Sequence, residues 1–224
     1  MNFLSHYYFD QHSQPNRVLG VVLPDLAKTH DRKWNLHPHK HTERWKDEPA
    51  LQLIADGWQR HIQVDELFHE SAYFREKTEL IKTEIQHISF GDQRVRPYIL
   101  AHIGLEIILD TLLIRHHHVD VNHFYRSLAR VPDKDITDFL SKNNIPHPES
   151  FIPFYERFNT VQYLFSYKDN ESVVYALNRI NHRMLQTWFP EAEIKALNEC
   201  FALVIENIEK DYLYIFDLIA EQLN

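Results

Sequence analysis

Apolar side chains recur along most of the chain at intervals of three and four residues, the spacing of one face of an α-helix. Between residues 50 and 90 they fall at Leu51, Ile54, Ala55 and Trp58, then at Ile62, Leu67, Phe68, Phe74, Leu80, Ile81 and Ile85. The stretch FGDQRVRP, with Gly91 and Pro97, closes that block and opens the next. Residues 97–116, PYILAHIGLEIILDTLLIRH, form an apolar run broken by His102, Glu106, Asp110 and Arg115. A helix apolar on every side is buried in the middle of a bundle. Further helices are predicted over 120–129, 134–143, 149–165, 170–188 and 190–222, the last opened by Pro190. Period-two alternation is absent, so the pattern predicts an all-α single domain over residues 1–224, a multi-helix bundle.

Composition sharpens this picture. The chain has only four glycines, at 20, 57, 91 and 104, against an average usage of ~7%, which fits helices better than turn-rich sheets. Cys200 is the single cysteine, so an internal disulfide and thiolate zinc sites are excluded, and a reducing compartment is expected. The N-terminal MNFLSHYYFDQHS has no basic region and carries Asp10, unlike a secretion signal. With no uninterrupted apolar run near ~18 residues, the expected location is the cytoplasm, away from membranes.

The net charge of −8 argues against nucleic acid as a partner. The charge is unevenly spread. Residues 28–46 hold six Lys or Arg against Asp31 and Glu43, a local +4 that leaves −12 for the remainder. This segment, within a His-rich insertion over 28–49, reads as an exposed loop or short-helix insertion. The C-terminal block, with Phe201, Val204, Ile205, Ile208, Tyr212, Ile215 and Phe216, is expected to pack in the core rather than against a second copy, and the oligomeric state stays open.

Candidate chemistry lies on two lines. His61, Asp65 and His69 are spaced i, i+4, i+8, each step ~40° around a helix and ~6 Å along it, so Asp65 is the hub of any cation site here. His102, Glu106 and Asp110 repeat the spacing on the most apolar helix. Burying two carboxylates there costs several kcal/mol unless a cation or hydrogen bonds compensate. Two such stripes on consecutive helices predict a shared metal or catalytic cleft.

Other signals are weaker. Asp25, after Pro24, also reads as a first-turn helix acid, and His6 as a packed ring in an aromatic segment. The His30–Asp31 dipeptide falls in the polar insertion, while HPHKH at 37–41 and HHH at 116–118 read as loose surface chelators. Two Glu-x-x-His units, ending at His69 and His87, lie eighteen residues apart in one helical block and cannot face each other unless it folds back. There is no Gly-rich phosphate loop, serine elbow or zinc-protease helix.

MNFLSH, VLGVVLPDLAK, GWQRHIQVD with Phe74-Arg75 following, ILDTLLIRHH and FYERFNTVQYLFSYKDNESVVYALNRINHR together resemble the acyl carrier protein phosphodiesterase family of bacteria over nearly the whole chain. The resemblance implies an all-helical, HD-phosphohydrolase-like fold and a divalent cation, typically manganese or magnesium. It also implies hydrolysis of the phosphodiester joining 4'-phosphopantetheine to a serine of acyl carrier protein. It maps the family's N-terminal histidine onto His6, its first aspartate onto Asp25, its central His and Asp onto His61 and Asp65, and the acids of its buried helix onto Glu106 and Asp110. Members usually carry an arginine where this chain has Ile62, an acid at His69 and an aspartate at Glu106, and a shorter segment before His61.

The expected metal ligands are accordingly His6, Asp25, His61, Asp65 and Asp110, a donor set that suits Mn or Mg and accommodates Fe or Zn. Glu106, His69 and His102 are the residues expected to orient water or protonate the leaving serine oxygen. Acyl carrier protein is acidic, and Lys28, Arg32, Lys33, Lys40, Arg44 and Lys46, with Arg60 and Arg75, supply basic charge to meet it. Two alternatives stay open: a hydrolase of small phosphoesters, and a non-catalytic helical protein that binds an acidic partner.

Overall fold

The helices predicted from spacing are present, but two of the blocks are cut in two. The structure is a computed structural model that describes residues 1–223. Eleven α-helices occur among them: α1 (Phe3–Tyr8), α2 (Pro15–His30), α3 (Pro49–Glu70), α4 (Ala72–Ile85), α5 (Pro97–Arg115), α6 (Val121–Leu128), α7 (Asp133–Lys142), α8 (Phe151–Val161), α9 (Asn170–Leu185), α10 (Glu191–Ile208) and α11 (Leu213–Leu223). Short 3₁₀ turns lie at Pro38–Lys40, Thr42–Arg44, Pro148–Ser150 and Tyr163–Ser166, and there is no strand among the described residues. The fold is all-α.

The block predicted over 50–90 breaks at Ser71. Its Oγ accepts from the Phe74 amide at 3.0 Å and donates to the Phe68 carbonyl at 2.7 Å, so one side chain ends α3 and caps α4. Apolar periodicity runs through such a corner unbroken, which is why spacing alone joins the two helices. The last block divides after Ile208. In the other direction, α2 runs straight through Pro24, so Asp25 lies inside a helix and not in a first turn. Gln162 and Gln186 end α8 and α9 in the left-handed conformation, φ 50° and 59°, a place glycine usually fills.

The helices cluster into two compact units, each assembled from separated stretches of chain, so no linker composition marks a boundary. One unit comprises Met1–Ser5, Glu66–His118 and the chain from Phe165 onward. Its framework is a ring of four helices in which α4 packs on α5, α5 on α9, α9 on α10 and α10 on α4. Helix α5 is buried along most of its length, and Gly104 lies where an added Cβ would meet the Phe201 ring at 2.8 Å. By length and composition α5 could cross a membrane, a property it shares with core helices of this kind, and most of it is buried inside the protein.

The second unit comprises His6–Asp65 and Val119–Leu164. Here α2 packs against α6 and α8, and α8 against α7. The His-rich segment is held rather than loose: Trp34, Leu36 and Trp45 are buried, with the Trp45 ring 5.3 Å from Phe139 and Trp34 5.8 Å from Phe151. Helices α2 and α3 touch through backbone. A Cβ on Gly20 would stand 2.3 Å from the Ile54 carbonyl oxygen and 2.8 Å from the Gly57 Cα, and one on Gly57 would stand 2.3 Å from the Arg17 oxygen.

Replacing either glycine with alanine must push the helices apart. Alanine adds ~1 kcal/mol of helix propensity, but overpacking of a closed core costs about 1–3 kcal/mol or more. Gly20→Ala and Gly57→Ala are therefore each expected to lower the thermal midpoint, by about 2–4 °C per kcal/mol of net loss. Calorimetry checks this, and an unchanged or raised midpoint would contradict so close a crossing.

Candidate metal centre

The glycine contact sets up the first constellation. It brings α3 near enough to α2 that His61, one turn after Gly57, places Nδ1 2.9 Å from the Val21 carbonyl oxygen. A carbonyl only accepts, so His61 carries its proton on Nδ1 and keeps a lone pair on Nε2. Pro24 lacks the N–H that would serve the Gly20 carbonyl, which loosens the helix ladder beside Val21. Holding one imidazole nitrogen through a backbone carbonyl is how proteins orient a histidine ligand.

His6 stacks on His61 with ring centroids 3.8 Å apart and 18° between planes. It is 1% exposed, and neither of its ring nitrogens has a hydrogen-bond partner among the described residues. Its Nε2 lies 3.4 Å from Asp65 Oδ1. Burial, reinforced by the neighbouring His61, pulls His6 down to about 3, so the ring is neutral at pH 7. Burial works against the charge on Asp65, but contact with His6, together with the positive charge of other nearby groups, outweighs it and holds the carboxyl well below the usual carboxylate range. One ligand atom from each of His6, His61 and Asp65 lies within 4.8 Å of the others.

This donor set fits a divalent cation. A buried imidazole with both nitrogens unpaired carries a desolvation penalty of about 1–3 kcal/mol, which a cation on Nε2 would relieve. A neutral His6 and an ionised Asp65 are the protonation states that a metal requires.

A second group assembles in the other unit. His69 Nε2 and His102 Nε2 are 3.1 Å apart, His102 Nε2 is 3.1 Å from Glu106 Oε1, and His69 Nε2 is 3.5 Å from the same oxygen. Phe74, positioned by the Ser71 cap, sets its ring edge-on to both imidazoles, 4.9 Å from His69 and 5.0 Å from His102. Burial opposes ionisation of Glu106, yet the Met1 ammonium 3.3 Å away and the two imidazoles hold its carboxyl well below the ordinary range.

The remaining expected residues lie outside both groups. Asp110 is fully buried, and its carboxylate accepts from the Leu4 amide at 3.1 Å, the Ser5 amide at 2.8 Å and the Ser5 hydroxyl at 2.7 Å. These amides belong to the first turn of α1, where helical N–H groups lack partners of their own. Burial pushes its carboxyl up to about 7 against those donors. Asp25 sits half-buried on α2, one turn beyond Val21.

Of the basic residues, Arg32, Lys33, Lys40 and Lys46 are exposed, whereas Lys28 donates to the Trp34 carbonyl. Arg44 is tied to the Lys142 carbonyl, and Arg60 lies 3.9 Å from buried Asp10. Glu84 and His87 join neither group, even though the block does fold at Ser71. Residues to which the sequence assigned no part in a site also matter here: the Val21 carbonyl, Phe74, Ser5 and the two packing glycines. The glycines left a signal as isolated glycines inside helical patterns, and Phe74 as an apolar position followed by Arg75.

Residues 1–217 match the model of the acyl carrier protein phosphodiesterase family. The chain belongs to this family. Neither a curated protein nor a solved structure gives a match. Membership supports a phosphodiesterase function related to acyl carrier protein, in agreement with the sequence motifs.

Asp110→Asn tests the anchoring of α1. The amide keeps one acceptor oxygen and turns an NH₂ toward at least one buried backbone donor. A loss of about 2–3 kcal/mol in urea unfolding is expected for donors left unpaired, and stability within about 0.5 kcal/mol of wild type would rule the anchor out.

Proposed function

We propose that this protein is a metal-dependent phosphodiesterase that releases 4'-phosphopantetheine from the serine of holo acyl carrier protein. The observation that carries the reading is buried, neutral His6, with both ring nitrogens unpaired, stacked on His61 and beside Asp65 in a chain of this family. The reading includes an HD-phosphohydrolase-like scaffold, supported by the wholly helical fold.

His6, His61 and Asp65 would hold the cation, with Asp25 as a further carboxylate. Two carboxylates and two imidazoles suit manganese or magnesium and accommodate iron or zinc. When bound, such a cation neutralises charge on the phosphodiester and acidifies a water for attack at phosphorus. The chain's own part is to present donors in the correct state. Val21 keeps the proton of His61 on Nδ1, burial keeps His6 neutral, and Asp65 stays ionised at neutral pH. Asp110 acts as a positioning residue through the first turn of α1.

The acidic carrier protein needs a basic landing surface. Arg32, Lys33, Lys40 and Lys46 offer exposed charge on a segment held in place by Trp34, Leu36 and Trp45, which supports docking there.

Intact mass of holo acyl carrier protein incubated with this protein and Mn(II) tests the reaction. Wild type is expected to remove the phosphopantetheine group and Asp65→Ala to remove none within the same time. Conversion by Asp65→Ala at the wild-type rate would dismiss this centre. Independently, reversing Arg32, Lys33, Lys40 and Lys46 to Glu is expected to weaken binding of the carrier protein at least ~10-fold at low salt and to flatten its salt dependence. Unchanged affinity and salt slope would dismiss the docking surface.

A further inference from the structure

We infer that His69, His102 and Glu106 form a second cation site, separate in its ligands from the first and selective for a borderline transition metal of the zinc class. The inference goes beyond the reading above, which needs only the group at His6, His61 and Asp65.

The geometry carries it. Three ligand atoms, two imidazole Nε2 and one carboxylate Oε1, face one another at 3.1, 3.1 and 3.5 Å. Ligands ~2.0–2.1 Å from a tetrahedral cation stand about 3.3–3.4 Å apart. The triangle therefore matches one face of a zinc tetrahedron, with the fourth corner left for water or a substrate oxygen.

Hydrogen bonding alone serves this arrangement poorly. The single Nε2 of His102 faces both His69 and Glu106 at 3.1 Å, yet it has either one proton or one lone pair. If it donates to Glu106, it has no lone pair to accept from His69, and its one proton would have to be shared between the carboxylate and the other ring. If both rings donate to Glu106, their nitrogens stay 3.1 Å apart with nothing between them. A cation satisfies all three contacts at once.

The rings are also pre-arranged. Phe74 stands edge-on to both, Phe68 lies 5.1 Å from His69, and Ser71 fixes the turn that carries Phe74. His102 and Glu106 are one helical turn apart on α5, so their spacing comes from the helix itself. Two imidazoles with one carboxylate favour zinc, cobalt or ferrous iron over magnesium, whose preference is for oxygen. Ligation engages the lone pairs that a general base would use, so this assignment takes the place of the acid–base role expected from the sequence.

The test is metal stoichiometry on chelator-stripped full-length protein, by equilibrium dialysis at submicromolar free Zn(II), with a weak competing chelator to clear loosely bound ions from the exposed histidines. Co(II) absorption in the visible range serves as a second readout. Wild type is expected to hold two equivalents of Zn(II). His69→Gln and His102→Gln should each hold one equivalent fewer, with loss of a Co(II) band and an unchanged far-UV spectrum. Both side chains are half-exposed, so either variant should fold.

His61→Ala is the control for the other group: it should lose one equivalent while keeping the band that His102→Gln removes. If both glutamine variants match wild type in stoichiometry and absorption, the second site does not exist, whatever His61→Ala does to the first. Equal competition by Mg(II) for the band would overturn the zinc-class assignment.

Discussion

The contact between Gly20 and Gly57 is the constraint on which the first centre depends. Packed helices usually keep their axes 8–10 Å apart, held off by side chains. Here an added Cβ would sit inside the neighbouring backbone. That approach lets His61 reach the carbonyl of the residue following Gly20 and so fixes which imidazole nitrogen carries the proton. A backbone contact with no chemistry of its own thus decides the chemistry of a side chain one turn away.

Buried polar groups elsewhere show how unusual His6 is. Asp110 is met by two amides and a hydroxyl and Lys77 by Asp211 at 2.7 Å, while Asp10 accepts from Arg17 at 2.6 Å through Oδ1 and leaves Oδ2 without a hydrogen bond. Each of these is largely compensated within its own unit, as buried polar groups generally are. His6 is buried as deeply, yet both its ring nitrogens lack hydrogen bonds and its stacking partner is another imidazole. Stacking keeps the rings in place and leaves the His6 nitrogens without hydrogen bonds, a condition that favours binding a cation.

The two groups of three are built differently. The first draws on a stack of buried rings brought together from α1 and α3, with the partly exposed Asp65 carboxylate beside them. The second takes its spacing from one turn of α5 and its support from an aromatic wall, and its rings are half-exposed. Burial excludes water and strengthens electrostatic interactions in the first. Partial exposure gives the second ready exchange with solvent.

By itself the sequence determined that the chain is helical, because apolar residues three and four apart can be buried together only on a helix face. It also determined that His61, Asp65 and His69 share one line, since that follows from spacing on a single helix, and the family motifs pointed to His6 and Asp25. Where the helices end was less legible. Ser71 breaks a block that periodicity joins, because a cap depends on two hydrogen bonds and not on hydrophobicity, and Pro24 falls inside a helix because tertiary packing outweighs its local cost. Only the tertiary structure decided how the polar lines divide. Asp65 joins His6 and His61, while His69, one turn further on, joins His102 and Glu106 across a contact thirty-three residues distant in sequence. Asp110, spaced like a third ligand, accepts from the amides of Leu4 and Ser5 in the first turn of α1. Spacing along a helix fixes which side chains share a face, but the residues that meet that face come from elsewhere in the chain, and only packing selects them.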